Sequence, residues 1–366
     1  MMSKCFDFCL SCCILIIIFL PFKYDLKYIH SKQQKDKLGT QLKSNSNQNK
    51  GPQKQDLRLW MNEKEKHYQK DKERIQRVCK KYNVKHSKLI GRNLIHVDRN
   101  HRIGFCNHAK VGSSTWRHHM RDLLPPKIFE KLAKKYKLAA EDNPLKWLRA
   151  MNTYYSIPKN TVSGGSSNKK SPYSINNFLR SHQILSFSFV RHPFERLVSA
   201  YNDKFVNKRG KYFKAFEWWF GKQVSFSSFA DLVLYQYRTR CYPNNTPTSR
   251  ISTNLADENC EHKIDTHWRP FAFKCSYCDI NYDLIGRKET WNDDIDYIIR
   301  KRGLEKVLPL QKAHIAHHAS KEYMHQSTEE MAKEYFNTLS QKQKEDLYQM
   351  FRLDFEMFNY DPKMYF

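Results

Sequence analysis

Two short apolar runs, each ending in a polar turn that opens a helix, constrain this chain more than any other feature. The first is Ile103-Gly104-Phe105-Cys106, followed by Lys110-Val111-Gly112-Ser113-Ser114-Thr115 and then by Trp116 and Met120. The run reads as a buried strand, and the spacing of Trp116 and Met120 puts both on one face of a helix. The second run is Leu185 to Val190, where Leu185, Phe187 and Phe189 alternate with serines as in a strand. Arg191 stands at its end, and Pro193 suits the first helical position. Phe194, Leu197, Val198, Tyr201 and Phe205 then recur at helical spacing on one core-facing side. Arg196, Ser199 and Asp203 share another side. Alternating strands and helices along the chain predict an α/β domain with a mainly parallel central sheet flanked by helices.

The turns carry chemistry. A strand leading through a glycine turn into a helix gathers backbone N–H groups and the positive helix end around an anion. Gly112 permits close backbone approach. Lys110 adds a point charge, and Ser113, Ser114 and Thr115 add hydroxyl donors. The turn is not a Walker A loop, because its lysine precedes the glycine and no first glycine exists. Taken alone, it reads first as a polar connection capped by serine. The second unit changes that reading: Arg191 at the strand end and Ser199 two turns into the helix can converge on one phosphate.

The stretch from Arg191 to Tyr201, Arg-His-Pro-Phe-Glu-Arg-Leu-Val-Ser-Ala-Tyr, carries a family resemblance. So do His267-Trp268-Arg269-Pro270, Tyr282-Asp283-Leu284-Ile285-Gly286 with Glu289-Thr290, and the ending Asp354-Phe355-Glu356-Met357-Phe358-Asn359-Tyr360. Together with the Lys110 turn, these segments resemble the Golgi carbohydrate sulfotransferases. The nearest branch holds the chondroitin and dermatan 4-O-sulfotransferases and the neural glucuronic-acid 3-O-sulfotransferase. The resemblance runs from roughly residue 75 to residue 361 in the expected order. His108-Ala109 stand where Val/Ile-Pro often precede the loop lysine.

The resemblance implies a P-loop-like sulfotransferase fold and a donor, 3′-phosphoadenosine 5′-phosphosulfate, with no metal required. Ala109, Lys110, Val111, Gly112, Ser113, Ser114 and Thr115 would hold the 5′-phosphosulfate. Arg191, His192, Pro193, Phe194, Glu195, Arg196, Leu197, Val198 and Ser199 would form the 3′-phosphate motif. Lys110 would meet the charge developing on the leaving phosphate. His267, in Asp265-Thr266-His267-Trp268-Arg269-Pro270, is the candidate base for the acceptor hydroxyl. Asp265 is its orienting partner or an alternative base. A structural histidine beneath the acceptor site is the other reading. The acceptor would be an anionic or neutral glycan, from a glycosaminoglycan or a glycoprotein.

Residues 8–22 form one apolar block, short for a plasma-membrane span but tolerable in thinner early secretory membranes. No small-residue cleavage site follows, which argues against a cleaved signal peptide. The reading is a type II signal anchor in the Golgi membrane: residues 1–7 a cytoplasmic tail, 23–74 a stem, 75–366 a luminal domain. Residues 23–55, rich in Lys, Gln, Asn and Ser, suit a flexible stem. Residues 56–82 suit an exposed helix that docks late, near Ile75 and Val78. Residues 93–98 and 102–106 read as a hairpin, and 126–139 as a basic helix with Ile128, Leu132 and Tyr136 on one face. The Ser-, Gly-, Asn- and Lys-rich stretch 159–177 is expected to be a mobile excursion. Trp218 and Trp219 serve either core packing or sugar stacking. Helices are expected over 226–237 and 291–301, and over 328–352 with a break near Ser340; a strand is expected over 283–288. His118, His119, His317 and His318 are assigned to the surface.

Six cysteines follow the apolar block: Cys79, Cys106, Cys241, Cys260, Cys275 and Cys278. They suit disulfides in an oxidising lumen, with the pairing open; Cys275-x-x-Cys278 as half of a zinc site is the alternative. Asn244-Asn245-Thr246 makes Asn244 a glycosylation acceptor. The formal charge of +27 implies an anionic partner, and a glycan is preferred here to nucleic acid. Two rival functions remain at this stage. One is a nucleotide kinase, disfavoured by the missing Walker A order. The other is a membrane-anchored, non-enzymatic glycan-binding protein.

Overall fold

The computed structural model describes residues 54–139 except 85–89 and 92–94, then 154–157, 169–207 except 171, 224–241, 264–308 and 327–366, with single positions between them. The apolar block at 8–22, the stem before residue 54, Trp218, Trp219, Asn244, Cys260, His317 and His318 lie outside the described residues. Among the described residues no helix is long and apolar enough to cross a membrane.

Helix α1 (Lys54–Lys81) buries Tyr68, Asp71, Ile75 and Val78, one face at alternating three- and four-residue spacing. It docks earlier than its sparse apolar residues suggest. Lys64 Nζ and Tyr68 OH both reach Asp294, at 3.1 and 2.7 Å. Buried Asp71 accepts from Arg287 at 3.1 Å and pairs with Arg74. Polar pairing, invisible to a hydrophobic count, fixes this first half, and position 75 falls in the helix interior rather than at a boundary.

A two-residue strand β1 (Ile90–Gly91) follows. Strands β2 (Ile95–Asp98) and β3 (Ile103–Cys106) form the expected hairpin, closed by the Asp98 carboxylate, which accepts from the N–H groups of Asn100 and His101 at 2.9 and 3.2 Å. Helices α2 (Ser113–Asp122) and α3 (Pro126–Tyr136) come next; α3 buries Leu132 on the face the spacing predicts. Strand β4 (Lys169–Lys170) pairs antiparallel with β1. Helix α4 (Pro172–Ser181) replaces the second part of the expected excursion, because Ile175, Phe178 and Leu179 bury one face. The polar composition of the stretch masks that spacing.

Strand β5 (Leu185–Val190) leads into α5 (Pro193–Tyr201), which continues as a π-helical turn over Asn202–Val206. Then come α6 (Phe226–Cys241), β6 (Leu284–Arg287), α7 (Trp291–Lys301), α8 (Thr328–Asn337) and α9 (Gln341–Phe358). Ser327 and Ser340 each close a capping box, which makes the break near Ser340 a true helix start.

The four-stranded sheet has the order β2-β3-β5-β6. The β3–β5 and β5–β6 pairs are parallel and the hairpin makes β2 antiparallel, so the sheet is mixed, with two of its three pairings parallel. Every residue of β5 is buried. Its serines do not face water, as alternation would suggest. Ser186 Oγ donates to Asp283 at 2.9 Å, and Ser188 Oγ to the Cys106 carbonyl at 3.1 Å. A central parallel strand is covered on both faces, so polar side chains there need internal partners.

Cys79 bonds to Cys278 and Cys106 to Cys275. The Cys-x-x-Cys pair therefore divides between two bridges, which excludes the zinc alternative for it. Both bridges tie the segment before β6 down, one to α1 and one to the end of β3. One core cluster surrounds the sheet with α1, α2 and α7. A second joins α5 and α6 to α8 and α9.

Candidate active site

The site begins where β3 ends. His108 is buried, and its Nε2 lies 2.8 Å from Tyr277 OH, which in turn meets Ser188 Oγ at 2.9 Å. Burial holds its imidazole well below the ordinary range, so the ring is neutral. The His108-Ala109 pair is thus accommodated by a hydroxyl network under the loop.

Lys110 and Gly112 both have left-handed backbone, with φ of 69° and 78°. The two reversals swing the chain into α2, whose N-cap is Gly112 with no side-chain cap. The leading N–H groups of α2, at Ser113, Ser114 and Thr115, have no intrahelical acceptor. No serine caps them, so the bland capped-connection reading does not hold. Gly112 is required twice over. Its φ disfavours any side chain, and an added Cβ would lie 2.1 Å from the Trp291 ring. Trp291 opens α7 directly after Glu289-Thr290, packs on Phe189 at 4.6 Å between centroids, and lies under the Lys288 ammonium.

The Lys110 ammonium meets Asp203 at 3.2 Å. Burial pulls its pKa below the ordinary lysine value; Asp203 opposes this, while Lys204 and Arg191 add to it. Arg191 and Lys110 therefore feel each other across the neighbouring ends of the parallel strands β3 and β5. Arg191 is buried and contacts Glu195 at 3.4 Å. Burial raises the Glu195 carboxyl, against the pull of Arg191. Ser199 is half-buried, and among the described residues its hydroxyl has no protein partner.

The rest of the 191–199 segment makes these contacts within the protein. The His192 N–H donates to Glu289 at 2.9 Å, and Glu289 also accepts from Tyr360 OH at 2.9 Å. Phe194, Leu197 and Val198 are fully buried in the second core cluster, so their side chains anchor α5. Arg196 is 1 % exposed, and its guanidinium donates to the carbonyls of Ala109, Arg269 and Thr266 at 3.1, 2.7 and 3.0 Å. It lies 4.3 Å from the Phe271 ring centroid. Each of its three nitrogens donates to a main-chain oxygen. Arg196 braces the loop against the 266–269 segment.

That segment carries His267. Its Nδ1 lies 2.7 Å from Asp265 Oδ1, and its own N–H donates to the same oxygen at 2.8 Å. The carboxylate assigns the ring proton to Nδ1 and leaves Nε2 as the basic nitrogen. Burial lowers the His267 pKa below 6.5; Asp265 opposes this, and Lys204 and Lys110 reinforce it. Trp268 is fully buried and donates from Nε1 to Gln236 at 3.0 Å. Buried Asp354 accepts from the N–H groups of Phe271 and Ala272, holding the far end of the segment.

Lys110, Asp203, Lys204, Asp265 and His267 thus form one polar cluster beside an uncapped helix start, with Arg191 at its edge. Of the residues singled out from the sequence, Lys110, Asp265 and His267 fall in this cluster, Arg191 at its edge and Ser199 on α5. Sequence reasoning placed Asp203 on a helix face without a role and missed Lys204, Trp291 and Asp354. The only signal for Lys204 was its place in Asn202-Asp203-Lys204-Phe205 directly after the second motif. His119, expected on the surface, is buried with its ring 5.3 Å from Trp116.

Comparison of the sequence with known proteins finds named relatives. Carbohydrate sulfotransferase 11 of Rattus norvegicus is 28% identical over 272 residues, covering 74% of this chain and 67% of the relative. The Danio rerio carbohydrate sulfotransferase 11 is 26% identical over 320 residues, 81% of this chain and 77% of its own length. Carbohydrate sulfotransferase 10 of Xenopus laevis is 27% identical over 284 residues, 73% of this chain and 67% of the relative. No solved structure matches the chain. The model of the sulfotransferase family matches residues 93–361, which spans both turns, the clamp of Arg196 and the His267 segment: the chain belongs to the sulfotransferase family.

Proposed function

We propose that this protein is a carbohydrate O-sulfotransferase that moves a sulfuryl group from 3′-phosphoadenosine 5′-phosphosulfate to a glycan hydroxyl. The observation that carries the reading is the cluster in which Asp203 holds Lys110 and Lys204, both near enough to His267 to lower its pKa, beside the uncapped start of α2. The N–H groups of Ser113, Ser114 and Thr115 suit the 5′-phosphosulfate, and Arg191 with Ser199 suits the 3′-phosphate.

In the proposed step the acceptor oxygen bonds to sulfur as the sulfur–oxygen bond to the phosphate breaks. The bond pair leaves with the phosphate oxygen, giving adenosine 3′,5′-bisphosphate. The hydroxyl proton passes to His267 Nε2, whose partner Asp265 stabilises the cation that forms. Lys110 meets the charge gained by the bridging oxygen, so it acts more strongly in the transition state than in the ground state. The names of the relatives and the formal charge of +27 support a glycan acceptor, and the resemblance of the sequence motifs suggests one of the chondroitin or dermatan type or a glycoprotein glycan. The apolar block at 8–22 and the two disulfides support a type II anchor with the domain in the Golgi lumen.

The test is transfer of label from radiolabelled donor to a panel of desulfated glycosaminoglycans and glycoprotein glycans. Adenosine 5′-phosphosulfate, which lacks the 3′-phosphate, should be a poor donor. A protein that binds the bisphosphate nucleotide but transfers nothing to any glycan would be a non-enzymatic binder, and the proposal would fail.

A further inference from the structure

Arg117, one turn into α2 from Ser113, is half-buried, and its Nε is shut off from water with no hydrogen-bond partner. Among the described residues no carboxylate pairs with the guanidinium: burial alone pulls its pKa down, to about 10, and no neighbouring charge of either sign contributes. The group stays protonated at neutral pH, as a partly desolvated cation that the protein does not itself neutralise. Arg196 is the contrast, with each of its nitrogens on a carbonyl.

The sheet fixes where that cation stands. Arg117 acts on His96 of β2, whose imidazole is pulled down to about 4, first by burial and then by Arg117 and Lys274. The ring is neutral, so it lines the spot without changing its charge. His96 lies opposite Phe105 in the β2–β3 register, and Trp116 packs on Phe105 at 5.6 Å between centroids, so α2 covers this face. At the same end of the sheet Asn107, directly past β3, is 8 % exposed, and its Oδ1 is buried with no donor. In the strand order β2-β3-β5-β6, Arg117 stands on the β2 side of β3 and Arg191 follows β5 on the other side. A 3′-phosphate held by Arg191 leaves Arg117 unused. Lys274, the other cation acting on His96, lies further along the segment that holds Asp265 and His267, and the Cys106–Cys275 bridge ties it to the end of β3. The base segment thus runs toward Arg117, on the acceptor's side rather than the nucleotide's.

We propose that Arg117 sets acceptor specificity by binding the carboxylate of a uronic acid in the glycan, next to the sugar that receives the sulfuryl group. This rests on the proposed sulfuryl transfer and deepens it, choosing an acid-bearing acceptor over a neutral glycoprotein glycan. A guanidinium matches a carboxylate through two parallel N–H···O bonds, and partial burial strengthens them. A sugar acid also offers ring hydroxyls, and a hydroxyl is the donor that Asn107 Oδ1 lacks. An acceptor awaiting its sulfate brings its carboxylate as the anion it already has.

The probes are a desulfated chondroitin oligosaccharide and the same oligosaccharide with its carboxyls reduced to alcohols; the variants are Arg117→Gln and Arg117→Lys. Calorimetry, which needs no turnover, should show the wild-type protein binding the carboxylated probe about ten- to hundred-fold more tightly than the reduced one. Arg117→Gln should cut that preference to less than about threefold, by losing affinity for the carboxylated probe alone. Arg117→Lys, a point charge without the fork, should recover part of it. In transfer assays the loss should appear in the acceptor KM rather than in the single-turnover rate at saturating acceptor. No preference between the probes in the wild type, or equal losses for both in Arg117→Gln, would overturn the role. A matching fall in affinity for adenosine 3′,5′-bisphosphate would assign Arg117 to the donor and overturn it too. A wild-type protein that binds with this preference, loses it in Arg117→Gln and transfers nothing would leave the carboxylate site standing and sink the sulfuryl-transfer reading alone.

Discussion

Replacing Arg196 with lysine tests whether the site is assembled by a buried clamp. The guanidinium reaches three carbonyls on two segments: Ala109 in the loop before Lys110, and Thr266 and Arg269 on either side of His267. An ammonium on a shorter, non-planar head retains one of these bonds and leaves two carbonyls unsatisfied. A hydrogen bond from a charged donor is worth about 1.5–3 kcal/mol, so losing two removes about 3–6 kcal/mol. Against a typical total of about 5–15 kcal/mol, Arg196→Lys should still fold but unfold at a much lower urea concentration. The functional consequence differs from that of losing a phosphate ligand. Both the loop and the base segment lose their common brace, so single-turnover rate should fall by more than nucleotide affinity does. Urea unfolding by fluorescence and calorimetry with the bisphosphate nucleotide separate the two. An unfolding midpoint equal to wild type, or a loss of nucleotide affinity confined to 3′-phosphorylated nucleotides, would refute the clamp and return Arg196 to the phosphate.

Other outcomes follow from the same geometry. Lys110→Ala should cut single-turnover rate by roughly two to three decades while weakening bisphosphate binding far less; equal losses would deny it a transition-state role. The lowered pKa of His267 keeps its imidazole neutral below pH 6.5, so the acid limb of kcat/KM should lie below that value. Asp265→Asn removes the influence that raises this pKa and should move the limb lower still; a limb above 6.5 in wild type would contradict the assignment. Gly112→Ala should destabilise by at least about 1–2 kcal/mol through its left-handed backbone, with more from collision with Trp291. Pairing it with Trp291→Ala should recover the collision part, and simple additivity in urea unfolding would show that the ring is not the obstacle.

Much of this site was legible because its parts are local in sequence. The strand–turn–helix of 103–120 and the Pro193 helix start follow from apolar spacing and proline chemistry, and both stand in the structure. The Asp265–His267 pair spans two residues and is equally local. What spacing misreads is polar burial. Arg196 lies on the polar side of α5 by periodicity, and the family resemblance set it in the 3′-phosphate motif. It is buried because carbonyls from two distant segments satisfy it. The same limit hid Asp71, Ser188 and Asp354, each a polar group inside the core with a partner far away in sequence. The cysteine count suggested bridges, but pairing is a property of the fold: the close pair Cys275 and Cys278 points to opposite neighbours.

The π turn is the hardest feature to foresee, and it has the largest consequence for chemistry. Helical periodicity assigns Asp203 and Lys204 directions about 100° apart, so a straight continuation of α5 would aim only one of them at Lys110. The wider turn reconciles two demands that compete. Phe205 must stay in the second core cluster with Tyr201 and Phe229, and Asp203 must still reach the loop that follows β3. Packing on one side and charge on the other fix both ends of Asn202–Val206, and one extra residue per turn lets both be met. The second core cluster, which holds no donor-facing group of its own, thereby sets where the two lysines stand relative to His267. Substitutions at Phe205 or Phe229 should for that reason affect turnover as well as stability, although neither side chain lies in the polar cluster.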